Sequence, residues 1–207
     1  MIFEILPVGP LSANSFIIGC EETREGIIVD PGGDPEKIIA AIDGLGLRIT
    51  SIINTHGHFD HVGGNLRLLE HTGAKLLVHE KDIHLLSKAS DIAARYGGTS
   101  DNSPPPDSFL ADGMILQVGR YRIGIIHTPG HTPGGCCLYM EDEGVLISGD
   151  TLFAEGVGRT DFPGGSHQGL IESIRTRLFT LPENTRVYPG HGPSTTIGHE
   201  KRHNPYV

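Results

Sequence analysis

Seven residues, Thr55-His56-Gly57-His58-Phe59-Asp60-His61, set three imidazoles and a carboxylate directly behind the apolar run Ser51-Ile52-Ile53-Asn54. Such a cluster is poor core material, because each buried polar group needs a partner. His at i and i+2 on an extended loop converge on one cation, and the Asp and His that follow are turned toward a neighbouring one. The segment therefore reads as a two-metal site whose remaining ligands come from elsewhere. Three other segments offer them, each a loop after an apolar run: His131 in Thr128-Pro129-Gly130-His131, Asp150 in Ile147-Ser148-Gly149-Asp150, and His191 in Tyr188-Pro189-Gly190-His191. Imidazole and carboxylate ligands without thiolate suit a metal held for chemistry rather than a closed structural site. With twelve histidines in the chain, a lone one is more simply a packed or surface residue. That reading fits His71, His79, His84, His127, His167, His199 and His203, but not the 56–61 cluster.

A chain of 207 residues at 37% hydrophobic content has the profile of a single globular enzyme domain, 1–207. The formal charge of −9, with no basic stripe, argues against a nucleic-acid partner. Cys20, Cys136 and Cys137 are odd in number and two are adjacent, so no disulfide framework is implied and a reducing, cytoplasmic setting is expected. The start, Met1-Ile2-Phe3-Glu4-Ile5-Leu6-Pro7, reads as a strand rather than a signal peptide, and no run is long enough to span a membrane.

Apolar runs at 2–6, 15–19, 26–29, 50–53, 75–78, 114–118, 121–126, 136–140, 144–148 and 186–188 have strand length and mostly end in turn residues. Helices fill the gaps. Asp34 is placed to N-cap one carrying Ile38, Ile39, Ile42 and Leu45, with Pro35 at its first position; Ser166 is placed to cap another carrying Leu170, Ile171, Ile174 and Leu178. A third is expected from Val62 to His71 with Leu66 and Leu69 inward, and a fourth within 80–95. Gly26-Ile27-Ile28-Val29-Asp30 and Gly144-Val145-Leu146-Ile147-Ser148-Gly149-Asp150 are weakly alike, each an apolar strand ending in Asp. Two strand-rich halves packed face to face, with helices outside, would bring both carboxylates and the ligand loops to one edge.

The histidine motif, followed in order by His131, Asp150 and His191, resembles the metallo-β-lactamase superfamily over almost the whole chain. The resemblance implies an α/β four-layer αββα sandwich, with His56, His58 and His131 on one metal, Asp60, His61 and His191 on the other, and Asp150 bridging. Gly158-Arg159-Thr160-Asp161-Phe162-Pro163-Gly164-Gly165 and the tail Glu200-Lys201-Arg202-His203-Asn204-Pro205 resemble the glyoxalase II branch, hydroxyacylglutathione hydrolases that cleave glutathione thioesters. The match is closest to its compact bacterial type. Longer members carry a helical C-terminal extension that helps bind glutathione, whereas 16 residues follow His191 here. The expected partner is a small thioester, a glutathione conjugate foremost; oligomeric state stays open. The Gly158-Arg159-Thr160-Asp161 segment also resembles persulfide dioxygenases, which keep one iron on residues corresponding to His56, His131 and Asp150.

Two divalent ions, zinc foremost with iron or manganese as alternatives, equip such a site for thioester hydrolysis. Bound water titrates near pH 7, so hydroxide is available, and a second metal about 3.5 to 4 Å away polarises the carbonyl. Asp60 is the candidate catalytic carboxylate, ligating a metal and orienting the hydroxide. Asp30 is either an acceptor for a ligand imidazole N–H or simply a turn residue before Pro31-Gly32-Gly33. Arg159 is either a contact for a substrate carboxylate or the internal partner of Asp161, and Lys201 and Arg202 are candidate substrate contacts or a solvated basic end. Cys136 and Cys137 read as core. The segment 97–107 is the long loop of the chain, bordering the pocket or merely crossing the surface. A flavodiiron-type module would lack its flavin region here, a metal-less scaffold would have lost ligands, and a β-lactamase is allowed by fold alone.

Overall fold

The computed structural model describes residues 1–95 and 99–207. Its strands are β1 Ile2–Val8, β2 Ala13–Gly19, β3 Glu25–Val29, β4 Arg48–Ile53, β5 Lys75–His79, β6 Ser108–Leu110, β7 Ile115–Val118, β8 Tyr121–His127, β9 Cys136–Met140, β10 Val145–Gly149, β11 Leu152–Phe153, β12 Gly156–Val157, β13 Arg186–Pro189 and β14 Thr195–Thr196. They form two six-stranded sheets, β1-β2-β3-β4-β5-β6 and β14-β13-β10-β9-β8-β7, with β11 and β12 as a small separate hairpin. Helices α1 Pro35–Leu45, α2 Phe59–Val62, α3 Asn65–Thr72, α4 Ile83–Leu86, α5 Ala89–Arg95, α6 His167–Ser173 and α7 Ile197–His203 complete the chain, α6 running on into a π-helical turn at Ile174–Leu178.

Strand alternation builds the layers. Phe16 and Ile18 of β2, Ile27 and Val29 of β3, and Val145 and Ile147 of β10 meet between the sheets, as do Cys136, Leu138 and Met140 of β9. Their neighbours point outward: Ile17 and Ile28 join Ile38, Ile42 and Leu68 under α1 and α3. On the other side Cys137 and Leu146 join Leu170, Ile174 and Leu178 under α6, and Ile197 of α7. Both faces of each sheet are covered, so the central strands are continuously apolar rather than alternating. The result is the expected αββα sandwich, and both adjacent cysteines lie in its core.

The structure corrects four local readings. Asp34 sits at φ 46° with no side-chain cap; its carboxylate instead accepts from Gly9 N at 2.9 Å. Ser166 does cap α6, accepting from Gly169 N. The expected helix from Val62 to His71 is two helices, because backbone from Pro31 and Gly32 packs against Gly63 and Gly64, where a Cβ would come within 2.7 Å of their carbonyl oxygens. In α3 Leu68 is the fully buried residue and Leu69 packs half-buried beside it, as expected, whereas Leu66 is 37% exposed. The expected helix within 80–95 is a 3₁₀ turn, Glu80–Asp82, followed by α4 and α5.

Of the long loop, Gly97 and Gly98 lie outside the described residues. The rest is pinned: Ser103 Oγ accepts from Asn65 Nδ2 at 2.8 Å, and Asp107 Oδ2 from Leu76 N at 2.8 Å.

Candidate metal centre

Strand β4 ends at Ile53, and the segment after it carries His56 and His58 into a cleft at one edge of the sandwich before α2 turns Asp60 and His61 inward. From the second sheet, the β8–β9 loop brings His131, the end of β10 brings Asp150 and the turn after β13 brings His191. All seven residues meet. The potential donor atoms of His56, His58 and His131 lie within 4.8 Å of one another, as do those of Asp60, His61 and His191. Asp150 stands between the two triads. Its Oδ2 is 3.5 Å from His131 Nε2, its Oδ1 is 3.5 Å from His61 Nε2, and its Oδ2 is 3.8 Å from His191 Nε2.

Two atoms identify what these groups are arranged for. His56 Nε2 and Asp150 Oδ1 are buried without a hydrogen-bond partner, which is costly unless a cation completes them. A Cβ at Gly190 would lie 2.3 Å from that same Asp150 oxygen, so the glycine leaves the space around it open. Nitrogen and oxygen donors in two adjoining sets fit a pair of divalent ions.

Electrostatics separate the two sets. Burial and the neighbouring imidazoles push His56 well below its ordinary value, and burial with His131 takes His58 to about 3. Both stand neutral, ready to ligate. For His61 burial works in the same direction but is outweighed by Asp150, Asp60 and Asp30, which hold it up at about 10. Asp60 is held well below the usual carboxylate range: burial opposes this, and the imidazoles of His61 and His191 overcome it.

Asp30 is fully buried at φ 50°, at the end of β3. Its Oδ2 lies 3.0 Å from His61 Nδ1 and accepts from Thr55 Oγ1 at 2.6 Å, while Oδ1 accepts from Thr55 N at 2.7 Å. Thr55 Oγ1 is in turn 3.1 Å from His56 Nδ1. His61 thus stands between the ends of the two similar strands, Asp30 facing one ring nitrogen and Asp150 the other. His131 Nδ1 lies 2.6 Å from the carbonyl oxygen of Arg159.

Above the donors opens a cavity of about 730 Å³, with His58, Asp60, His131, Asp150 and His191 at its base. Phe59, Leu85, Ile92, Phe153 and Phe162 give it apolar walls; Arg159, Lys88 and Arg95 also line it. Arg159 is engaged by both Asp161 oxygens, at 3.0 and 2.8 Å, and its guanidinium lies 4.4 Å from the Phe162 ring centre. The structure does not bring Lys201 or Arg202 to the cavity: both are exposed on α7, where Arg202 pairs with Glu183 at 2.9 Å. No described residue of 99–107 lines it either.

Sequence reasoning passed over two residues that hold the ligand loops. Asn14 of β2 donates through Nδ2 to the carbonyls of Pro189 and Gly192, at 2.9 and 3.0 Å, and its N–H donates to Gly190 O at 2.7 Å, fixing the His191 turn. Asp82 does the same for another loop, as argued below. Neither carries a local sequence signal, since their partners lie far along the chain.

Over residues 8–191 the chain matches the metallo-beta-lactamase superfamily, and it belongs to that superfamily. A Haemophilus influenzae relative, hydroxyacylglutathione hydrolase GloC, is 40% identical, the alignment covering 100% of this chain and 98% of that one. Among solved structures, BLEG-1 B3 metallo-beta-lactamase superposes with TM-score 0.92 at 38% identity, covering 99% of both chains. A di-iron-bound form of TTHA1623 gives 0.91 at 37% identity, with 99% and 100% covered. ETHE1 from Myxococcus xanthus gives 0.81 at 31% identity, with 99% of this chain and 84% of that one covered.

Proposed function

We propose that the protein is a binuclear metal-dependent thioester hydrolase of the hydroxyacylglutathione type. The observation that carries the two-metal reading is Asp150, which reaches toward both donor triads and has one oxygen buried without a hydrogen bond. His56, His58 and His131 would hold one ion, Asp60, His61 and His191 the other, and Asp150 both. Similarity to GloC supports the thioester reading. When bound, the ions supply an activated water and an electrophile for the carbonyl. Water adds to the thioester carbonyl carbon, the C–S bond breaks, and the thiol and carboxylic acid leave. Within the chain, Asp60 orients the attacking water, Asp30 fixes His61 through Nδ1, and the apolar walls exclude bulk solvent from the acyl group. Zinc is the first candidate, with iron or manganese as alternatives.

A second reading is favoured by the ETHE1 similarity: a mononuclear iron dioxygenase acting on glutathione persulfide, with His56, His131 and Asp150 as iron ligands. One experiment separates the two. Metal-loaded protein is assayed on lactoyl-glutathione and, in parallel, on glutathione persulfide with oxygen uptake followed. Thioester cleavage without oxygen uptake supports the hydrolase; oxygen consumption with one tightly held iron per chain overturns it.

A further inference from the structure

We infer that Asp82 is the positioning residue of the first metal site, a buried carboxylate that locks the two loops bearing His56, His58 and His131 into one geometry. Asp82 ends the 3₁₀ turn after β5 and is fully buried. Its Oδ2 accepts from Gly57 N at 3.0 Å and from Thr132 Oγ1 at 2.7 Å, and its Oδ1 accepts from Gly134 N at 2.7 Å. Gly57 lies between His56 and His58, and Thr132 follows His131. One carboxylate therefore grips a residue next to every member of the first triad, through backbone at Gly57 and through the hydroxyl at Thr132.

Three hydrogen bonds at these lengths satisfy the carboxylate, which is the condition for burying one. Sterics close the same joint. A Cβ at Gly134 would lie 2.6 Å from Asp82 Cγ, and one at Gly57 would lie 2.9 Å from Asp82 O. The two loops are joined independently at their base by Cys136 N donating to Thr55 O at 2.8 Å. Loss of the Asp82 grip would thus loosen the histidine-bearing portions without parting the sheets. The second triad has other supports: Asp30 at His61 and Asn14 at the His191 turn. Asp82 donates or accepts nothing there.

The inference rests on reading His56, His58 and His131 as one metal site. In Asp82→Asn an amide N–H₂ replaces one acceptor and opposes a donor, so the grip fails with little change in volume. Zinc affinity of both sites is measured by chelator competition, with the melting temperature recorded for each protein. First-site affinity should fall about 10 to 100-fold, the range for lost supporting contacts around ligands, while second-site affinity stays within about threefold. Thr132→Val should move the first site in the same direction by less, and Thr132→Ser, which keeps the hydroxyl, should leave it near wild type. The Thr132 pair decides the matter if Asp82→Asn does not fold. Equal weakening of both sites, weakening of neither, or identical behaviour of Val and Ser at 132 would overturn the positioning role. A wild-type chain that binds no zinc would instead overturn the metal-site reading beneath it.

Discussion

His61 is the most heavily contested side chain in the molecule: 0% exposed, with Asp30 at 3.0 Å on one nitrogen and Asp60 and Asp150 at 3.7 and 3.5 Å from the other. With its value raised to about 10 in the metal-free chain, it carries a proton at neutral pH, a cation held where a metal ion would bind. Coordination through Nε2 requires that proton to leave. Zinc uptake at pH 7 should therefore release about one proton per chain from this residue, falling away as pH rises past about 10. Calorimetric titration in buffers of different ionisation enthalpy measures it, and no proton release would contradict the assignment. The bridging role has its own check. Asp150→Ala should lower occupancy at both sites, whereas His191→Ala, removing a proposed ligand of the second, should empty mainly that one; retention of both metals in Asp150→Ala refutes the bridge. All seven of these donors were legible in the sequence, because they sit in compact His and Asp motifs after apolar runs. Asp82 was not: Gly57 and Thr132 are 25 and 50 residues away, and nothing near position 82 marks it.

At the scale of elements, the wall formed by α4 and α5 supplies what Lys201 and Arg202 do not. Lys88 and Arg95 line the cavity, and neither has an ion pair among the described residues, although Asp91 lines the same wall. On the proposed thioester reading, they are cations placed to meet the carboxylates of a glutathione moiety. Lys88→Ala with Arg95→Ala should raise KM for a glutathione thioester about tenfold, the scale of a charged hydrogen bond lost. KM for a short neutral thioester should hardly move, and kcat should stay near wild type for both. Steady-state kinetics on the two substrates checks this, and equal effects on both would remove the wall from substrate recognition. The sequence obscured this wall because its apolar spacing reads as one amphipathic helix, while the chain actually breaks at Ser87 and Lys88. Helix α7 was hidden for a different reason. Its composition is that of a solvated basic end, yet Glu200 is buried and accepts from Glu155 N at 2.9 Å and Thr195 Oγ1 at 2.5 Å. Short strands such as β6 and β14 lack the length to signal themselves.

Across the whole molecule, the first sheet and its loops furnish His56, His58, Asp60 and His61, while the second furnishes His131, Asp150 and His191. Each proposed metal site draws on both halves, so ions held there would add cross-links between sheets that already meet through the apolar layer of Phe16, Ile18, Val29, Leu138 and Ile147 and through hydrogen bonds such as Asn14 to Pro189 and Cys136 to Thr55. The apolar runs made most of these strands readable from sequence, but the sandwich itself followed from the resemblance carried by the His and Asp motifs, because strands covered on both faces show no alternation to say which side turns inward. What the pattern does not encode is how firmly the open edge of the sandwich closes. A ligand that binds only the folded state adds about 4 kcal/mol when free metal is a thousandfold above its dissociation constant. For a chain of this size each kcal/mol moves the melting temperature by roughly 2 to 4 °C. Stripping the metals with a chelator should therefore lower the melting temperature by roughly 8 to 16 °C for each ion removed, and zinc should restore it. In Asp150→Ala the zinc-induced rise should shrink to a few degrees, because the one carboxylate shared by both sites is gone. Thermal unfolding with and without chelator reads both effects. A melting temperature indifferent to metal would mean that the two halves are held by their core and hydrogen bonds without ions, and that the seven converging side chains do not hold ions across the cleft.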